Sequence, residues 1–152
     1  MNSNTPNCIY GYVTVRKFSG MAIPVPVQNM LLRKYSTDLE CAYALPKNEH
    51  KYEHCYMQLF DTIKTTPNGA GIAMCSAFML PQKPGMYDEL YNCILKKNIT
   101  IHCLFEAKVL NKKNDFIDLY ELMRLRAFTE RSKDDVTTLL SFIQKSISTL
   151  NS

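Results

Sequence analysis

The chain has no Gly-rich phosphate loop of either standard type, no C-x-x-C pair, and no apolar run near the roughly 20 residues of a membrane span. The first absence excludes the nucleotide-binding loops that spacing alone reveals. The second removes support for a zinc knuckle or a dithiol redox motif. The third leaves no expected transmembrane helix. Residues 1–8 are polar and no cationic segment leads into an apolar stretch, so no secretory leader is expected. Charge of one sign is scarce too. A formal net charge of +4 and a pI of about 8.7 are too weak a basic bias to argue for nucleic acid. They suit a phosphate- or carboxylate-bearing ligand equally well. No basic run is interleaved with aromatics, so a single-strand stacking platform is not indicated.

What is present is ordinary globular composition, with 46% hydrophobic and 21% charged residues. The 152 residues predict one domain, over 8–150, after a loose tail at 1–7. Six cysteines (Cys8, Cys41, Cys55, Cys75, Cys93, Cys103) lie mostly in apolar runs or helical patterns, where a free thiol behaves as a small buried hydrophobe. That usage predicts a reducing, cytoplasmic location. The residues imply no particular cofactor.

Along the chain, CIYGYVTV (8–15) reads as a strand, followed by a loop with Gly20, Pro24 and Pro26. A helix is expected over 26–38 with Val27, Met30, Leu31 and Tyr35 as its apolar stripe, then a strand at 39–45. A second helix is expected over 51–65, and the continuously apolar GAGIAMCSAFML (69–80) as a central strand buried on both faces. A helix at 86–97 and a strand at 99–106 follow, then two C-terminal helices at 115–130 and 134–149, the last with a start signal at Ser132 to Asp135. The alternation implies an α/β fold: a four-stranded, mainly parallel sheet with helices on both faces, resolvase-like or flavodoxin-like. The helix at 115–130 is apolar around most of its girth, which favours a homodimer.

In parallel α/β sheets, ligands bind at the C-terminal ends of the strands. Tyr12, Thr14, Arg16, Lys17 and Ser19 crowd that end of the first strand. Arg16 suits bidentate binding of an anion, with Arg33 a second candidate. Gln28 and Asn29, in the first turn of a helix, could read ligand hydroxyls. Ser76 could face the crevice but is not in a G-x-S-x-G elbow. Glu106, at a strand end, and Glu49, in the loop after the second strand, are acid/base candidates. His102 shares a face with Glu106 on an extended strand. His50 and His54 stand at i and i+4, yet EHKYEH fixes no third ligand, so no metal site is expected. Lys96–Lys97 and Lys112–Lys113 read as solvated.

Two resemblances add to this reading. IYGYVTV resembles the opening of serine recombinase (resolvase) catalytic domains, but Thr14 stands where that family has the strand arginine and Arg16 where it has the nucleophilic serine. A second and more extensive resemblance is to the sporadic carbohydrate cluster family of small bacterial proteins encoded among surface-polysaccharide genes. GYVTVRKFSG matches its opening with Val15 in place of a serine. PVPVQNMLLRKY (24–35), Glu49 ahead of Tyr56–Met57, SAFMLP (76–81), and His102 with Glu106 follow in order. This resemblance implies a role in making or modifying surface glycans, with a sugar, a sugar nucleotide or a modifying group as ligand. It points to Tyr12, Arg16, Gln28, Asn29, Arg33, Ser76 and His102 as a binding wall. The alternatives are a non-catalytic partner of a glycosyltransferase and a recombinase-like nucleic-acid binder without cleavage activity.

Overall fold

The computed structural model describes residues 5–151. The chain divides into two compact units, one ending at Ile117 and the other beginning at Asp118. The first holds a five-stranded sheet in the order β2-β1-β3-β4-β5. β1 is Cys8–Thr14, β2 Ala42–Glu49, β3 Gly71–Met74, β4 Thr100–Cys103 and β5 Lys108–Leu110. The first four are parallel, and β5 closes an antiparallel hairpin with β4. The helices are α1 (Val25–Asp38), α2 (Met57–Thr65), α3 (Pro84–Lys96) and α4 (Lys113–Leu150). The crossover from β1 to β2 runs opposite to those from β2 to β3 and from β3 to β4. Right-handed connections therefore put α1 on one face and α2 and α3 on the other.

The core lies on both sides of the sheet. Ile9, Val13, Ile72, Met74 and Ile101 are fully buried in the strands, as are Leu32, Leu59, Leu90 and Ile94 in the helices. Each such side chain contributes about 1.5–3 kcal/mol relative to exposure. All six cysteines are free, and Cys75 and Cys103 are buried. Burial, reinforced by the Glu106 carboxylate, pushes the Cys75 thiol up to about 11. At β1–β2 the register slips between Tyr10 and Tyr12. Pro46 lies in the slipped stretch and has no N–H to give the ladder, so the pairing bulges there. Gly11 faces the bulge; a Cβ on it would lie 2.7 Å from the Tyr43 hydroxyl and 3.0 Å from Pro46.

Several boundaries differ from the sequence reading, each for a local reason. The first four residues of the expected tail (1–7) lie outside the described residues. Of the rest, Pro6 is buried and its carbonyl accepts from the Cys41 thiol, and the Asn7 carbonyl accepts from Ala42 N–H. In α1 the buried positions are Gln28, Leu32 and Ser36, while Val27 and Met30 are exposed. The helix is turned so that Gln28 points inward and braces the backbone. α2 starts at Met57 rather than 51, because His54 adopts φ +58 and breaks any helix through EHKYEH. The apolar run 69–80 is buried almost throughout, but only Gly71–Met74 pairs. Beyond it Ser76 caps a 3-10 turn, Ala77–Met79. β4 stops at Cys103 because residues 104–107 turn, with Ala107 at φ +51, into the unexpected β5.

The two expected C-terminal helices are one, α4. No Gly or Pro interrupts residues 113–150, and the Ser132 hydroxyl donates back to the Phe128 carbonyl instead of starting a new helix. At its start the Asp115 carboxylate accepts from Asn111 and Lys112 N–H groups. The second unit is the remainder of α4. Among the described residues no helix is long and apolar enough to cross a membrane.

Candidate functional site

The order β2-β1-β3 places a topological switch point at β1, from which the chain leaves first to one side and then to the other. Loops after such neighbouring strands diverge and leave a crevice. A cavity of about 550 Å³ lies there, of a size that suits small-molecule sites. Thr14, Arg16, Lys17, Phe18 and Ser19 line it from the end of β1 and its loop. Lys51, Glu53, His54 and Tyr56 line it from the loop after β2. Phe78, Met79, Gln82 and Lys83 line it from the segment after β3.

Four cationic side chains against one carboxylate give this lining a formal excess of three positive charges among its Arg, Lys and Glu residues. Arg16 is the best anchored of them. Its Nε donates to Thr14 Oγ1 (3.2 Å), its Nη1 reaches the Tyr52 carbonyl (3.5 Å), and its guanidinium lies over the Tyr56 ring at 4.6 Å. Two of its five N–H donors are engaged in these bonds, and the guanidinium is hydrogen-bonded to the Tyr56 side chain as well. Burial raises the Tyr56 phenol above its ordinary pKa although the adjacent Arg16 opposes this, so Tyr56 serves as a neutral aromatic wall. The loop from β1 is shaped by a small hairpin. Phe18 and Met21 exchange both backbone hydrogen bonds at 3.0 Å around Ser19 and Gly20, at φ +53 and +73. Two successive positive φ angles define a type I′ turn.

The two acid/base candidates do not line this cavity. Glu49 is buried, and its carboxylate accepts from His50 N–H (3.0 Å), Gln58 N–H (3.2 Å), Leu59 N–H (3.0 Å) and the Tyr12 hydroxyl (3.0 Å). It caps α2 from the end of β2, where the free N–H groups and the helix dipole favour an anion. Tyr12 is thereby fully buried, its phenol pushed well above its ordinary range by desolvation and then by the Glu49 charge. Glu106 does the equivalent work beside β3. It accepts from the Ser76 hydroxyl (2.6 Å) and Ala77 N–H (2.9 Å), while Ser76 Oγ accepts from Phe78 N–H (3.2 Å). Both carboxylates fix the loops that carry the cavity lining. The structure gives them positions behind the site instead of a shared crevice.

The other expected residues are also displaced from the lining. The Gln28 amide donates to the Thr14 and Ile23 carbonyls (2.7 Å each) and accepts from Thr14 N–H (3.2 Å), tying the β1 end to α1. Asn29 accepts from the Tyr43 hydroxyl (2.6 Å), and Arg33 stacks over that ring at 5.8 Å. His102 is buried. Its Nδ1 bonds Tyr35 Oη (2.7 Å) and its Nε2 bonds Thr100 Oγ1 (2.9 Å). Its ring leans over Gly71, the first residue of β3 and so the opposite end of the sheet from the cavity. Lys97 is half-buried, and its ammonium donates to the Ile63 and Lys64 carbonyls (2.7 Å each) and to that of Thr66, closing the end of α2. Lys51, Glu53, His54, Gln82 and Lys83 were not expected. The usable signal was their position in loops that follow parallel strands. Among the described residues, no cluster of three or more His, Cys, Asp or Glu could hold a metal.

No family model matches the chain, and no curated protein matches it in sequence. Solved structures do match in fold. The N-terminal catalytic domain of TP901-1 integrase superposes with a TM-score of 0.54 at 12% identity, covering 80% of this chain and 97% of that one. A resolvase family site-specific recombinase from Streptococcus pneumoniae gives a TM-score of 0.52 at 12% identity, covering 91% of this chain and 98% of that one. The chain thus has the fold of resolvase catalytic domains.

Proposed function

We propose that the cationic cavity binds a phosphorylated small molecule, and that the molecule is a sugar nucleotide or related sugar of bacterial surface-glycan biosynthesis. The observation that carries the reading is the convergence of Arg16, Lys17, Lys51 and Lys83, from three loops, on one cavity at the switch point. The sugar part rests on the resemblance to the sporadic carbohydrate cluster family. On this reading Arg16 grips the phosphoryl oxygens and Tyr56 stacks beside them. Glu49, Glu106 and Gln28 hold the loops in place. Glu53 and His54 are the lining groups able to move a proton. The protein acts as a homodimer joined through α4, with a glycosyltransferase as the competing occupant of that helix.

The test is a thermal-shift screen of nucleoside-diphosphate sugars followed by calorimetry. A ligand of the folded state raises the unfolding temperature by mass action. At least one member should do so, and Arg16→Ala should weaken its binding by about tenfold or more, since a hydrogen bond to a charged group contributes about 1.5–3 kcal/mol. No shift from any member, or unchanged affinity in Arg16→Ala, overturns the reading.

The second reading is recombinase-like nucleic-acid binding without cleavage, favoured by the shared fold. Arg16 stands where the covalent nucleophile of that family stands, so no ester link to DNA would form there. Tight binding of duplex DNA that weakens steeply with salt, together with silence toward sugar nucleotides, would select it.

A further inference from the structure

The cavity lining changes character along the sheet edge. The order β2-β1-β3 puts the β1 loop, with Arg16, between the other two lining segments. The β2 side offers Glu53 and His54, whereas the β3 side offers Phe78, Met79 and Gln82, with Lys83 as its one charge. Phe78 is half-buried and Gln82 exposed, so both are within reach of a ligand. Met79 is buried and gives this wall an apolar backing. Of the Phe and Tyr rings in the lining, Phe18 is buried and Tyr56 already carries Arg16 at 4.6 Å. Phe78 is therefore the ring best placed to take a stacked ligand. Its backbone is fixed from behind. Glu106 accepts from the Ser76 hydroxyl and Ala77 N–H, and Ser76 Oγ accepts from Phe78 N–H, which holds the 3-10 turn Ala77–Met79. A wall held in this way needs little further ordering when a ligand settles on it.

We infer that the β3 side of the cavity is a nucleobase subsite, in which the base stacks on Phe78 and Gln82 reads its polar edge. This rests on the cavity reading above and deepens it. A nucleobase is flat, has a π-face and keeps its donors and acceptors on its rim. One aromatic ring and one amide, which offers both a donor and an acceptor, match that shape. A pyranose carries hydroxyls around its whole rim, and each needs a partner once it is buried. A single amide does not meet that need. Glu53 and His54 supply such partners on the far side of Arg16. The ligand thus lies along the strand ends, with its base on Phe78, its phosphoryl group at Arg16 and its sugar toward Glu53 and His54.

The probes are the 5′-diphosphates of adenosine, guanosine, cytidine and uridine, with inorganic diphosphate and glucose 1-phosphate beside them, all titrated by calorimetry. The proteins are wild type, Phe78→Leu, which keeps apolar bulk, Phe78→Tyr, which keeps a ring, and Gln82→Ala. Unfolding temperatures without ligand confirm that each is folded. Wild type should bind at least one nucleoside diphosphate about tenfold or more tightly than inorganic diphosphate. Phe78→Leu should lose about tenfold for that nucleotide and keep its affinity for inorganic diphosphate, and Phe78→Tyr should stay near wild type. Gln82→Ala should narrow the differences among the four bases. Wild type that binds none of the probes overturns the cavity reading and this inference with it. Nucleotides that bind no more tightly than inorganic diphosphate overturn the inference alone. So does a Phe78→Leu variant with unchanged nucleotide affinity, or one that loses inorganic diphosphate equally, as a merely structural ring would. A loss for glucose 1-phosphate in place of the nucleotide would give this wall to the sugar and overturn the assignment. An unchanged ranking of the bases in Gln82→Ala would overturn the role given to that amide.

Discussion

At the scale of residues, this protein uses buried polar side chains to fix backbone. Gln28, Glu49, Ser76 and Glu106 spend their oxygens and N–H groups on loop and helix ends. His102 adds a pH dependence. Burial lowers its pKa from 6.5 to about 4, so the folded protein holds it neutral between the Tyr35 and Thr100 hydroxyls. Between those pH values the unfolded chain binds a proton that the folded chain refuses. Stability from this residue is thus complete above about pH 6.5 and declines as pH falls toward 4. The full loss is on the order of 3 kcal/mol. Urea unfolding at pH 7 and 4.5 should show wild type losing about 2–3 kcal/mol more than His102→Gln between the two. Equal losses would contradict the assignment. Sequence alone brought these residues to attention and could not show their orientation. A polar residue facing a ligand and one facing a loop carbonyl are spelled alike. Arg16 was legible because it stands just past a parallel strand, where loops host ligand sites, whereas Lys51 fell inside the helix expected over 51–65 and no motif marked Lys83.

At the scale of elements, periodicity located most strands and helices and misjudged their ends. The start of α2 is set by the Glu49 cap and by His54 at positive φ, neither of which has a period. The continuously apolar 69–80 reports burial, which strand β3 and the capped turn after it share. In α4, a start signal at Ser132 was overruled because nothing breaks the helix before it. The second unit carries Val136, Leu140, Ile143, Ile147 and Leu150, all exposed, at spacings of four, three, four and three. That is the a/d spacing of a coiled-coil seam, and on the proposed homodimer a second copy of the same helix would cover it. Light scattering behind size exclusion should give a dimer mass for the full chain and a monomer mass for Leu140→Lys combined with Ile147→Lys. A wild-type monomer would contradict the homodimer and leave α4 to a different partner.

At the scale of the molecule, β-α alternation made the parallel sheet and its helical layers readable, and the right-handed crossover rule supplied the layering. The hairpin β4–β5 escaped because three residues of Lys-Val-Leu carry no alternation to detect. The switch point at β1 follows from strand order, which the sequence does not print, yet it explains why residues from three separate loops meet. The cavity's charge is then a property of the fold and not of any one motif. Amide chemical shifts report that property directly. In a titration of nitrogen-15-labelled protein with a nucleoside-diphosphate sugar, the account predicts saturable shifts concentrated in residues 16–19, 51–56 and 78–83. Saturable shifts centred elsewhere, or none at millimolar ligand, would contradict it.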